Sequence, residues 1–329
     1  MIPGKFIKIT GVGKYVPRQV LSSEIENTYG LPQGWSEKYS GVLSRHHVSF
    51  ETNGYMGARA IEQALLHAGI QLENIDLLIA AGATFDYPLP NQSSIIKNEL
   101  KKSAGLHFPT IDIDSSCLSF ISAFEIACSL LDGKKYKNII IVSSEISSKG
   151  LDKDNWETLT LFGDGAAAVI VSYDETSDSR YIKGMEKTYV EGVYDSIVKG
   201  GGNAFFFKDH SYDPKLHSFS MNGKKLLRLA KKKIPEFINE LFEDLPFAIE
   251  DVDVIIPHQA SKAGMSLFSQ MHNLNRIKGN LSTHGNCIAA SIPMVLCDTI
   301  LSGELKRNDI CLLIGTAAGF SMGAALFRY

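Results

Sequence analysis

Segments of this chain recur at a nearly constant offset, and a chain that repeats half of itself can fold in few ways. Glu73-Asn-Ile-Asp-Leu-Leu-Ile79 matches Glu250-Asp-Val-Asp-Val-Ile-Ile256, 177 residues later, and each follows a long amphipathic segment with helical periodicity. Cys117 to Leu131, then Asp132-Gly133 and the run Ile139-Ile-Ile-Val142, matches Cys287 to Leu301, then Ser302-Gly303 and Ile310-Cys-Leu-Leu-Ile314; here the glycines lie 170 residues apart. Each half closes on a small-residue turn running into an apolar strand, Phe162-Gly-Asp-Gly-Ala-Ala-Ala-Val-Ile-Val171 and Thr316-Ala-Ala-Gly-Phe-Ser-Met-Gly-Ala-Ala-Leu326. Three matches in one order predict a duplicated α/β unit. The apolar runs are short and continuous, as in strands buried on both faces between helices. Two layered halves are therefore expected to pack about a pseudo-two-fold. The polar stretch Tyr173 to Ser179 supplies the boundary, giving halves over 1–174 and 175–329.

The repeat draws attention to one thiol. In Ile111-Asp-Ile-Asp-Ser-Ser-Cys117-Leu-Ser-Phe-Ile-Ser-Ala-Phe, a short strand gives way to a helix marked by Ile121, Phe124, Cys128 and Leu131 at helical spacing. A sulfur in the first turn of such a helix faces unpaired N–H groups and the positive end of the dipole, which favour thiolate over thiol. The five cysteines, odd in number and without paired spacing, argue against a disulfide framework and against a zinc site, so no metal is expected. A net charge of −3 leaves no electrostatic footprint for nucleic acid. The start, Met1-Ile-Pro-Gly-Lys-Phe-Ile, has no basic region followed by an apolar stretch, and no apolar run reaches membrane length; the expected location is the cytoplasm, away from membranes.

Two further residues complete a set. His258 ends the apolar run Val252-Asp-Val-Ile-Ile-Pro257, and Asn286 in Thr283-His-Gly-Asn286-Cys-Ile-Ala stands at the start of the helix that repeats the Cys117 helix. Each alone reads as a loop or capping residue; together, a helix-start cysteine, a strand-end histidine and a helix-start asparagine fall at equivalent ends of a duplicated fold. Cys, His and Asn in that order also describe papain-like cysteine proteases, and the gap of 141 residues from Cys117 to His258 fits them. No Cys-Gly-Ser-Cys-Trp signature surrounds Cys117, and a duplication has no place in that fold. A non-catalytic partner subunit is a third reading, which the intact trio argues against. Glu145, Asp164 and His47 read as structural, Asp164 as a stabiliser of the Gly163–Gly165 turn, and His284 fits no motif.

The sequence resembles the thiolase superfamily and, within it, the β-ketoacyl-acyl-carrier-protein synthase III family. The resemblance runs from Ile9-Thr-Gly-Val-Gly-Lys-Tyr-Val-Pro17 through the Cys117 segment, Phe162-Gly-Asp-Gly-Ala166, Met221-Asn-Gly223, Pro257-His-Gln-Ala260 and Gly285-Asn286 to Gly319-Phe-Ser-Met-Gly323. It implies a thiolase-like fold of duplicated αβαβα halves and a homodimer. It also implies that Cys117 accepts an acyl group from a thioester, that backbone N–H groups of Cys117, Ala318 and Gly319 form an oxyanion hole, and that His258 and Asn286 bind the carbonyl of a malonyl or β-ketoacyl thioester during decarboxylative condensation. No cofactor is implied beyond the acyl-coenzyme A or acyl-carrier-protein substrates. Transfer of the acyl group to an alcohol or amine without decarboxylation is the alternative within the family; Asn286 fits the synthase III type, since chain-elongating synthases and thiolases resemble one another in carrying histidine there.

The same resemblance assigns outlying residues. Leu89, in Phe85-Asp-Tyr-Pro-Leu89-Pro90, stands where a phenylalanine of the partner's acyl pocket is common, which implies room for a longer or branched acyl group. Trp35 matches a coenzyme A-stacking tryptophan, whereas Tyr39 and Trp156 replace arginines; two rings could still sandwich an adenine, but the expected outcome is weakened use of free acyl-coenzyme A, with acyl carrier protein preferred. Lys224, Lys225, Arg228, Lys231, Lys232 and Lys233 form a basic helix face, of which Arg228 and Lys225, with Lys262, are assigned to docking an acidic acyl carrier protein. Ser115-Ser-Cys117-Leu-Ser and Thr316-Ala-Ala-Gly319 depart from the housekeeping pattern, which implies a role in specialised metabolism.

Overall fold

The structure, a computed structural model, describes residues 4–209, 211–272 and 276–329. Residues 1–3, where the N-terminal reading of the sequence begins, lie outside the described residues. The apolar runs become the strands of two five-stranded sheets. The N-terminal sheet runs Lys8–Tyr15, Gly165–Ser172, Asn138–Glu145, Leu77–Ala81, Thr110–Ile113 in spatial order. The C-terminal sheet runs Lys5–Phe6, Arg180–Thr188, Ser321–Arg328, Ile310–Ala317, Val254–Pro257. Four positions correspond, with the same sense of pairing: antiparallel, antiparallel, then parallel. The edges differ. Thr110–Ile113 closes the first sheet beside Leu77–Ala81, whereas its counterpart in the second is, among the described residues, a single parallel bridge between Ile255 and Ile277. The second sheet instead gains Lys5–Phe6 from the far end of the chain, so the N-terminus crosses the expected boundary.

Strand residues alternate between two cores, the signature of burial on both faces. Ile139 and Ile141 pack inward with the helices Ser119–Leu130 and Ser291–Leu301, while Ile140 and Val142 face outward onto the helix Asn53–Ala68. In the second half, Cys311 and Leu313 join the central core, and Leu312 and Ile314 meet the helix Gly223–Phe242 through Phe237 and Leu241. The layers are thus α, β, α, β, α, with the repeat-matched helices as the shared middle layer. No helix among the described residues is long and apolar enough to cross a membrane. The strands Asn138–Glu145 and Ile310–Ala317 end at the same side of this middle layer, and the residues singled out by sequence gather there.

Candidate active site

Two turns clasp each other to build the site. The Asn286 N–H donates to the Leu161 carbonyl at 2.9 Å, and the Gly163 N–H donates to the Asn286 carbonyl at 3.1 Å. Only glycine permits this approach: a Cβ on Gly163 would lie 2.1 Å from the His284 carbonyl oxygen, and Gly285, at φ +69, faces the Leu161 carbonyl at 2.5 Å where its Cβ would point. Beyond the clasp, Asn286 Oδ1 accepts the Ile288 N–H at 2.8 Å, which leaves Nδ2 as the group facing the Ala260 carbonyl at 3.3 Å. The asparagine is therefore fixed as a donor toward the cavity it lines.

His258 follows Pro257, the last residue of its strand, and its N–H donates to Ile314 at 2.8 Å. Its side chain is buried, and Nδ1 has no hydrogen-bond partner among the described residues. Burial pushes the imidazolium down to about 4, so the ring is neutral at physiological pH and can offer either an N–H or a lone pair.

Cys117 sits one residue before Leu118, the cap of the helix Ser119–Leu130, and not in its first turn as expected. The turn that presents it is strained: Ser116 has φ +52, and its N–H is held by Asp114 Oδ1 at 2.8 Å. Burial, and after it the charge of Glu145, push the thiol up to about 12, against donation to the sulfur from the Ala318 N–H and its own. The expectation of a resting thiolate is thereby corrected. Desolvation outweighs the helix end, and the resting group is a thiol.

Cys117, His258, Asn286, Ala318 and Gly319 line one cavity of about 720 Å³. Much of its remaining wall is apolar, from Leu161, Phe162, Ile197, Phe219 and Met221. Lys224 and Leu227, on the first turns of the basic helix, also line it, so that helix flanks the cavity. A thiol, a neutral imidazole, an oriented amide and backbone donors lining one cavity form a set suited to acyl transfer through a thioester. The duplicated fold sets aside the protease reading.

The outlying residues fall in several places. Trp35 and Trp156 touch edge to face, centroids 5.8 Å apart at 86°, and Tyr39 lies against Trp35 at 4.6 Å. Trp35 opens its short helix because the buried Glu26 carboxylate accepts the Gly34 and Ser36 N–H groups, each at 2.9 Å. Leu89 is 84% exposed and does not line the cavity of its own chain. Arg228 is exposed, Lys225 pairs with Asp195 at 2.8 Å, and Lys262 reaches the Glu37 and Lys38 carbonyls at 3.3 Å. His284 stacks near His46 and does not line the cavity.

Two carboxylates do more than the sequence indicated. Asp164 does not serve its own turn; it accepts the N–H groups of Val48, Ser147 and Ser148 at 2.8–2.9 Å, tying separate loops behind the cavity. Glu145 is fully buried, and burial pushes its carboxyl up to about 8. The available signal was an acid ending a continuous apolar strand.

Comparisons with known proteins bear on the family and the fold. Residues 111–187 match the family described as 3-oxoacyl-[acyl-carrier-protein (ACP)] synthase III, and residues 242–329 match the family described as its C-terminal part. The β-ketoacyl-[acyl-carrier-protein] synthase III of Aquifex aeolicus is 30% identical over 325 residues, 98% of this chain and 99% of that protein. The crystal structure of 3-oxoacyl-[acyl-carrier-protein] synthase III from the same organism is similar with a TM-score of 0.87 and 28% identity, over 98% of this chain and 100% of that one. The priming β-ketosynthase from the R1128 polyketide biosynthetic pathway shares the fold, with a TM-score of 0.87 at 24% identity over 100% of this chain and 98% of that one. This chain belongs to the β-ketoacyl-acyl-carrier-protein synthase III family and has its thiolase-like fold; it is an acyltransferase of that class.

Proposed function

We propose that the protein loads an acyl group on Cys117 and condenses it with a malonyl thioester. In loading, the Cys117 sulfur forms a bond to the acyl carbon, the thioester C–S bond breaks, and the donor thiol leaves with the proton that Cys117 gives up. The oxyanion formed on the way is held by the backbone N–H groups of Cys117 and Gly319 in the small-residue turn Ala318–Gly319. In condensation, the bond from the malonyl carbon to its carboxylate breaks and carbon dioxide leaves. The electron pair passes to the thioester oxygen as an enolate, to which His258 and Asn286 donate. The enolate carbon then forms a bond to the acyl carbon, and the Cys117 sulfur departs to recover its proton. No step in this scheme is routed through a metal or cofactor.

The observation that carries this reading is the convergence of Cys117, His258 and Asn286 on one cavity. Its test is intact-protein mass after exposure to a panel of acyl thioesters, followed by malonyl thioester. A mass gain on Cys117 and release of carbon dioxide are expected. Loading without decarboxylation turns the assignment to transfer onto an alcohol or amine.

The partners belong to the same proposal. The protein acts in the cytoplasm as a homodimer, supported by the open edge of Thr110–Ile113 beside exposed Tyr87, Leu89 and Ile111, an apolar edge that pairing would cover. Leu89 is then free to reach the partner's acyl pocket. An acyl carrier protein docks on Arg228, Lys225 and Lys262, near Lys224 at the cavity. Because Trp156 supplies neither the charge nor the fork of an arginine, acyl carrier protein is the preferred donor over acyl-coenzyme A. Arg228→Glu should raise KM for acyl carrier protein and leave acyl-coenzyme A loading unchanged; equal effects on both donors would overturn the docking assignment.

A further inference from the structure

Between the strand Thr110–Ile113 and the helix Ser119–Leu130 the chain turns sharply, and one hydroxyl ties both sides of that turn. The Leu118 N–H donates to the Ser115 carbonyl at 3.1 Å, closing a four-residue turn with Ser116 and Cys117 at its centre. The same bond occurs in turns of several types, which differ in how the central peptide, here the Ser116 carbonyl with the Cys117 N–H, is rotated. Ser116 has φ +52, a value that favours glycine, so a serine there relaxes to another type unless something holds it. Ser119 supplies the hold. Its hydroxyl donates to the Ser116 carbonyl at 2.6 Å, beside the Ser119 N–H at 3.1 Å, and its oxygen accepts the Ser115 N–H at 2.9 Å. Ser119 is wholly buried, so bulk water does not compete for these bonds.

We infer that Ser119 is a positioning residue for the loading step: by gripping the Ser116 carbonyl it aims the Cys117 N–H, the other end of the same planar peptide, at the oxyanion. The inference rests on the loading reading above, in which that N–H is an oxyanion donor. A trans peptide carries its carbonyl and its N–H on opposite sides of one plane, so fixing the direction of the first fixes that of the second. The grip also strengthens the donor. The Ser115 N–H, the Ser119 hydroxyl and the Ser116 carbonyl form a chain in which each bond polarises the next, and amide resonance passes the polarisation on to the Cys117 N–H. A donor aimed before the reaction begins is what a developing oxyanion requires. Neighbouring contacts hold other parts of the turn: Asp114 Oδ1 accepts the Ser116 N–H at 2.8 Å, and Ser122 Oγ lies 2.9 Å from Ser115 Oγ and 2.8 Å from Glu186 Oε1. Neither touches the peptide that joins Ser116 to Cys117. Ser119 lies in Ser115-Ser-Cys117-Leu-Ser, the segment that departs from the housekeeping pattern, so the brace is part of that departure.

The test compares two reactions of one sulfur in Ser119→Ala, because acyl loading passes through an oxyanion and alkylation by iodoacetamide does not. The maximal rate of loading from an acyl thioester should fall about tenfold, short of the roughly 10²- to 10³-fold loss for a deleted oxyanion donor, since the Ser119 N–H still reaches the Ser116 carbonyl. The half-saturating thioester concentration, and the alkylation rate of Cys117 followed by peptide mass, should each stay within about twofold of the wild type. Ser122→Ala removes a neighbouring hydroxyl from the same helix and should load like the wild type. Unchanged loading in Ser119→Ala overturns the inference. A parallel loss of loading and alkylation, or an equal loss in Ser122→Ala, overturns it as well, because the whole turn would then have shifted. If Ser119→Ala does not fold, Ser119→Cys replaces the hydroxyl by a weaker donor, and loading at the wild-type rate overturns the inference in its place. Absence of Cys117 acylation in the wild type would instead defeat the loading reading, which is a separate result.

Discussion

Cys117 and Cys287 occupy matching places in the two halves, each just before a helix of the middle layer, and burial pushes both thiols up. They differ in what surrounds the sulfur. Cys287 is wholly enclosed: its N–H donates to Ser291 Oγ at 3.0 Å, and its thiol leans on the His284 carbonyl at 3.5 Å. Cys117 opens onto the cavity and receives the Ala318 N–H. Duplication supplies two equivalent helix starts, and access together with backbone donors separates the one that can react from the one that packs. Asn286, beside the closed thiol, turns toward the cavity instead, so each half contributes a different part of one site.

The sharpest way to break this comparison is Cys117→Ala. Acyl loading is expected to fall by at least about 10³-fold, with no acyl group appearing on Cys287. Intact mass and peptide mapping decide it, and label on Cys287 would erase the distinction.

Next in size, His258→Ala and Asn286→Ala should cut decarboxylative condensation by roughly 10²- to 10³-fold while loading falls far less. Single-turnover loading and carbon dioxide release, measured separately, show whether the split holds. Equal losses in both half-reactions would mean that the C-terminal residues serve the nucleophile as much as the second substrate.

A smaller effect follows from the neutral His258. Its folded value of about 4 lies below the ordinary 6.5, so the unfolded chain binds the extra proton first as pH falls. Its contribution is complete above pH 6.5 and is lost on descending to 4, on the order of 3 kcal/mol. Denaturant unfolding across that window should lose part of its pH slope in His258→Ala.

Cys287→Ala, the smallest change, should cost about 1–2 kcal/mol of stability through a small cavity and leave loading intact. A thermal melt with a loading assay checks both. Lost loading would show that the closed half supports the nucleophile more directly than its packing indicates.

Much of this was legible in the residues. Repeat spacing predicted two α/β halves because burial on both strand faces leaves a continuous apolar run. Cys117, His258 and Asn286 stood out by their places at element ends, and the structure brings all three to one cavity. Ionisation was not legible. The dipole argument for a thiolate used only local sequence, whereas desolvation and the Glu145 charge depend on segments far apart in the chain. The crossing of Lys5–Phe6 into the second sheet, the edge-to-face tryptophans and the loops gathered by Asp164 are equally non-local. Sequence by itself determined the elements, their duplication and the candidate chemistry, because period and motif are properties of neighbouring residues. Tertiary structure alone decided which thiol meets the cavity and which protons are held there, because exposure and electrostatic energy depend on the whole surrounding volume.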